Sequence, residues 1–163
     1  MSLVNSLVIG YGNSLRGDDG IGIKVAQIVA DWHLPKVRSL SQHQLTPELA
    51  AELAQVDLVI FVDAYQGTET DVVRIHSLKP SNSIQFKSHF SDPGALLGLT
   101  QALFGKCPQA WWVIVPGISF ELRDCLSPLA KQGIKQAKQQ IRSLVTDSVT
   151  ENMVTQPICT KSV

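Results

Sequence analysis

The sequence predicts a single-domain three-layer α/β/α sandwich, a mostly parallel sheet with an antiparallel edge strand, covered by helices on both faces. Three observations carry this. Short apolar runs at residues 6–10 (SLVIG), 57–63 (DLVIFVD) and 111–115 (WWVIV) suit strands buried on both faces. Segments with apolar residues three and four apart alternate with those runs, as helical crossovers between parallel strands require. At 163 residues the chain is long enough for one well-buried core and short for two. The domain is expected over residues 1–145. Beyond about Thr146 the chain turns polar and aperiodic, which predicts a flexible tail over 146–163.

Taken in order, the run Ser6 to Gly10 is the first strand. From Gly20 onward Ile21, Val25, Ile28, Val29 and Trp32 mark the first amphipathic helix. Lys36 to Leu40 carries a weak strand pattern. Thr46-Pro47-Glu48 supplies an N-cap, a proline at the first helical position and an acid in the first turn, opening a short helix through Leu49 and Leu53. Asp57 to Asp63 is the clearest buried strand. Val72 to Ile75 follows after a polar turn through Gln66 to Thr70. That link is too short for a parallel crossover, so the pair is expected to be an antiparallel hairpin. Ser91-Asp92-Pro93 opens a helix carrying Leu96, Leu99 and Leu103. Trp111 to Val115 is the last strand, ended by Pro116-Gly117. Ser127-Pro128 caps a final helix with Leu129, Ile134, Ala137, Ile141 and Leu144.

Composition excludes several classes of function. Lys+Arg and Asp+Glu balance at 14 each, which gives no bulk attraction for nucleic acid or an anionic membrane. No apolar run reaches the roughly 18 residues of a membrane span, and no basic segment precedes an apolar one at the N-terminus. Three widely spaced cysteines, Cys107, Cys125 and Cys159, make a poor disulfide framework and a poor zinc site. The expected compartment is the cytoplasm.

Open α/β sheets bind ligands beyond the carboxyl ends of their strands. After the first strand comes Gly10-Tyr11-Gly12-Asn13-Ser14-Leu15-Arg16-Gly17-Asp18-Asp19-Gly20-Ile21-Gly22; after the third, Asp63-Ala64-Tyr65; after the hairpin, Lys87-Ser88-His89-Phe90-Ser91. The first loop is no dinucleotide-binding turn. Leu15 stands where a third glycine belongs, and two carboxylates at the helix entrance would repel a phosphate. Asp18 alone reads as a cap of the following helix. Asp19, held ionised by that helix start, suits a metal ligand better than a general acid. Asp63 alone is a carboxylate accepting loop N–H bonds, and His89 alone a surface or packing histidine. Together Asp19, Asp63 and His89 make a two-oxygen, one-nitrogen set for a divalent metal, with coordination positions left open.

GNSLRGDDGIG at Gly12 to Gly22 after an apolar strand, VDA at Val62 to Ala64 ending a later one, and Ser88-His89 before a helix resemble the [NiFe]-hydrogenase maturation endopeptidase family. The resemblance runs from about residue 6 to 145, through the turn at Pro116-Gly117. It implies an α/β sandwich that cleaves the C-terminal extension from a hydrogenase large-subunit precursor once nickel is inserted. It further implies that Asp19, Asp63 and His89 bind the nickel the substrate carries, with no organic cofactor. His43-Gln44-Leu45 stands where many relatives have a D-G-G-T-like stretch. It resembles the type serving the bidirectional, NAD-linked hydrogenase, which implies a part in substrate selection; the other reading of His43 is a solvated loop side chain. Asp63 or Asp18 acting as general base stays open.

Other chemistries fit the residues less well. Cys125 lacks an assigned histidine partner, and Ser14 and Ser119 lack the context of a nucleophile elbow. A phosphoacceptor receiver domain also places an acidic pair after strand one and an aspartate after strand three. It needs a lysine after the last strand, where this chain has Pro116-Gly117-Ile118. A non-catalytic nickel-binding chaperone is the third reading, separable from a protease by a cleavage assay.

Overall fold

In the computed structural model, which describes residues 4–81 and 92–146, the chain begins at the middle of its sheet. β1 (Ser6–Tyr11) is buried at every position and lies between β2 (Val37–Gln42) and β3 (Leu58–Gln66), parallel to both. β5 (Gln109–Gly117) runs parallel to β3 on its far side, and β4 (Arg74–Leu78) closes the edge antiparallel to β5. The order is β2-β1-β3-β5-β4. The mostly parallel sheet with an antiparallel edge is therefore as the sequence predicts.

The hairpin expectation needs correcting. β4 does not pair with β3, because β5 lies between them. The link after β3 passes over the end of β5, where the Gly67 N–H donates to the Gly117 carbonyl at 2.9 Å. Beyond it Tyr65 donates to the Val72 carbonyl at 2.8 Å, and the Arg74 guanidinium stacks 4.6 Å from the Tyr65 ring centre. A short link fixes a strand's direction, but the gap it leaves can be filled by a strand arriving later.

Helices α1 (Ile21–Asp31) and α4 (Pro128–Leu144) cover one face, packing Ile21, Val25, Ala137 and Ile141 onto Val8, Ile60, Val62 and Val113. Helices α2 (Leu49–Leu53) and α3 (Pro93–Phe104) cover the other, with Leu49, Leu53, Leu96 and Leu97 against Leu7, Ile9, Val59 and Phe61. Odd-numbered residues of β1 and β3 thus face α2 and α3. α1 seats very close to the sheet, since a Cβ on Gly10 would lie 1.8 Å from the Gly22 carbonyl oxygen.

Two helix details differ from expectation. α3 packs through Leu96, Leu97 and Thr100, while Leu103 is 64% exposed. The helix is apolar nearly all round, so its sequence sets no clear phase. Thr46 does not cap α2 with its side chain; α2 begins at Leu49 after a tight turn in which the Leu49 N–H donates to the Thr46 carbonyl at 3.1 Å. The caps of the other two helices are as read. Asp92 accepts from the Gly94 N–H at 2.8 Å and Ser127 from Ala130 at 3.1 Å, each before a proline.

Candidate active site

β1 leads through α1 to β2 on one side, and β2 leads back through α2 to β3 on the other, so strand order reverses between β1 and β3. Their carboxyl ends therefore flank the crevice where such sheets bind ligands. β1 and β3 pair only as far as Gly10 and Val62, whereas β3 continues beside β5 to Gln66. Asp63 is the first residue past the β1 pairing, inside a strand that runs three residues further than the sequence suggests. It is held rigidly from the β5 side and is open on the β1 side.

The loop after β1 is shaped by its glycines and amides. Gly12 has φ +142°, and a Cβ there would fall 2.1 Å from the Asp19 carbonyl oxygen. Asn13 Oδ1 accepts from the Leu15 N–H at 3.0 Å, and the Asn13 N–H donates to Asp19 Oδ2 at 2.9 Å. A single 3-10 turn, Gly17–Gly20, then feeds α1. Asp19 is left half-exposed at the crevice.

Asp18 has a different part from the helix cap read in the sequence. Its carboxylate is fully buried and makes no cap to α1. It accepts from the Ile118 N–H at 2.8 Å, the Ser119 N–H at 3.1 Å, the Ser127 N–H at 2.8 Å and the Ser127 hydroxyl at 2.7 Å. Burial opposes its charge, but the bonds from Ser127, Ile118 and Ser119 outweigh it and hold the carboxyl below its usual range. Asp18 therefore fastens the β1 loop to the segment joining β5 and α4. Backbone bonds add to the clasp: Gly17 N–H to the Arg123 carbonyl at 2.9 Å and Arg123 N–H to the Leu15 carbonyl at 3.0 Å. This engagement removes Asp18 as a general base. It also removes the free acidic pair a receiver domain needs.

Asp63 is the perturbed group. Its pKa is pushed up to about 6, chiefly by burial and further by the charge of Asp19. The Ala64 N–H, 2.7 Å from Oδ1, and the nearby Tyr11 hydroxyl act the other way. The structure therefore brings Asp19 and Asp63 within electrostatic reach of each other. His89 lies outside the described residues, and among those described no three His, Cys, Asp or Glu side chains gather into a metal set. Asp92, three residues after His89 in the chain, acts electrostatically on Tyr11 and so stands on the same side of the crevice.

His43 and Gln44 are exposed beyond β2, near the crevice, since the Gln42 carbonyl accepts from the Gly12 N–H at 3.1 Å. Leu45 is not a surface position: it is 2% exposed and part of the α2–α3 core. Sequence reading also passed over Tyr11 and Trp112. Tyr11 continues the buried alternation of Leu7 and Ile9 to the strand's end, which was the signal that its phenol faces the site. Trp112 was hidden in an apolar run read only as core.

No protein-family model and no curated protein matches the sequence. Solved structures do. The hydrogenase maturating endopeptidase HybD from E. coli aligns with a TM-score of 0.68 at 22% identity, over 85% of this chain and 91% of that one. The maturation protease HybD from Thermococcus kodakarensis gives 0.65 and 22%, over 86% and 99%. HycI from the same organism gives 0.65 and 19%, over 88% and 94%. This chain has their fold. The match spans nearly the whole length of those proteins.

Proposed function

We propose that this chain is an endopeptidase that removes the C-terminal extension of a nickel-loaded [NiFe]-hydrogenase large-subunit precursor in the cytoplasm. The observation that carries the reading is the pair Asp19 and Asp63 at the switch point of a fold shared with hydrogenase maturation proteases. One carboxylate of the pair is held near the protonation boundary by its environment, a feature that clusters at working sites. Nickel belongs to the substrate, bound by precursor cysteines, and Asp19, Asp63 and His89 are its further ligands. Two facing carboxylates repel, and a cation between them turns that repulsion into attraction. A metal so held polarises a scissile carbonyl or activates a water. The chain's own part is positioning. The Asp18 clasp fixes the Asp19 loop, and pairing with β5 fixes Asp63. Exposed Leu15, Ile118 and Leu122, on the two clasped segments, offer the precursor apolar contact.

The test is incubation of the purified chain with nickel-loaded and nickel-free precursor, followed by mass spectrometry. Loss of a C-terminal peptide from the loaded form alone is expected, and Asp19→Ala or Asp63→Ala should abolish it. Cleavage of neither form, or of both equally, would overturn the reading.

A further inference from the structure

We propose that Trp112 and Tyr11 form a donor relay that orients the Asp63 carboxylate from within the core, Tyr11 being a positioning residue for the reaction. The inference rests on the function proposed above and concerns residues that neither the ligand set nor the clasp uses.

Tyr11 is 6% exposed, and its hydroxyl is buried with no hydrogen-bond partner of good geometry among the described residues. The indole Nε1 of Trp112 is in the same condition. Buried donors without acceptors are uncommon and need a reason. Here the two share one face of the sheet. Tyr11 follows Leu7 and Ile9 on the α3 side, and Asp63 follows Val59 and Phe61 on that side of the neighbouring strand. Register places Trp112 beside Phe61, two residues before Asp63. The Trp112 indole acts on the Tyr11 oxygen, and the Tyr11 hydroxyl on the Asp63 carboxyl, although neither contact closes to full hydrogen-bond geometry.

Donor chemistry fixes the direction of the chain. An indole N–H only donates, a phenol does both, and a carboxylate only accepts. Trp112 therefore donates its N–H hydrogen bond to the phenol oxygen, which turns the phenol O–H toward Asp63. The other carboxylate near Tyr11, Asp92, is committed to the Gly94 N–H as the cap of α3. Asp63 already accepts from Ala64 with Oδ1. A donor from Tyr11 holds the carboxylate from a second direction and leaves its outer lone pairs for the substrate's metal. Partners of this kind orient a ligand without touching the metal.

The experiment compares wild type, Tyr11→Phe, Trp112→Phe and the double variant, by cleavage kinetics on nickel-loaded precursor and by melting temperature. Tyr11→Phe should lower kcat by roughly 10- to 100-fold with KM unchanged. Its melting temperature should fall by no more than a few degrees, because the ring stays packed and only the hydroxyl's own hydrogen bonds are lost. Trp112→Phe should lower kcat less. The double variant should be no slower than Tyr11→Phe, because the indole acts only through the phenol. Wild-type kcat in Tyr11→Phe would overturn the relay, as would multiplying effects in the double variant. So would a Tyr11→Phe variant that is no longer folded at the assay temperature, which would make the hydroxyl a core anchor. Absence of cleavage by wild type would overturn the proposed function itself, and the relay with it.

Discussion

Replacing Asp18 by asparagine keeps the shape of its side chain but turns one acceptor into a donor facing Ile118, Ser119 and Ser127. At least one buried N–H then loses its partner, at a cost of about 2–4 kcal/mol in unfolding free energy. Urea denaturation at neutral pH measures it. Because the folded carboxyl is held below its usual range, its contribution is present above the unfolded pKa. It fades as pH falls through the folded one, so the gap between variant and wild type should narrow in acid. Asp63 has the opposite sign. Its pKa near 6 means wild type loses stability as pH rises from about 4 through 6. Asp63→Asn should therefore be more stable than wild type above pH 6, by about 1–3 kcal/mol, and equal to it below the ordinary carboxylate range. The variant should also be inactive. A variant no more stable than wild type at pH 7.5 would show that Asp63 bears no such cost.

Strands β1, β3 and β5 were legible because burial on both faces writes an unbroken apolar run. The parity of β3 alone puts Asp63 on the α3 face, level with Tyr11. What the sequence hid were the contacts made between elements far apart in the chain. The clasp of Asp18 on residues 118–127 spans about a hundred positions, and a carboxylate at a helix start looks like a cap whether it caps or not. The insertion of β5 beside β3 depends on a strand more than thirty residues later. His43-Gln44-Leu45 looked uniform because a loop of three residues carries no period, yet its last side chain belongs to the core. This divides the expected role. Changing His43 and Gln44 to Asp and Gly should leave the melting temperature nearly intact. It should alter the preference between bidirectional- and uptake-hydrogenase precursors by roughly five- to hundredfold, the equivalent of about 1–3 kcal/mol. Leu45→Gly should instead lose about 2–5 kcal/mol of stability. Cleavage rates on two nickel-loaded precursors, with thermal melts alongside, separate these effects. An unchanged ratio in the folded His43/Gln44 variant would reduce the segment to surface.

At the scale of the whole molecule, the question is where the metal resides before the reaction. The β1–β3 crevice joins two carboxylates, and burial, with their mutual repulsion added, already raises one of them to about 6. Carboxylate oxygens are hard ligands, whereas nickel favours nitrogen and sulfur donors. Even with His89 added, the set is weaker than cysteine thiolates in a precursor. The chain alone should therefore bind nickel loosely, and the precursor should deliver it. Enzyme treated with a strong chelator and then desalted should cleave nickel-loaded precursor at the untreated rate. Chelator added to the loaded precursor should change little, because the ion is already buried there. Acidification should slow kcat/KM as Asp63 takes up its proton, with a midpoint near 6 and full activity above it, because only the ionised carboxylate can ligate. The decisive measurement is the chelation experiment followed over pH by intact-mass analysis. Activity lost on stripping the enzyme and restored by nickel alone would make the ion a resident of this chain. An unchanged rate with the acid limb in place would leave the metal to the substrate and the positioning to the fold.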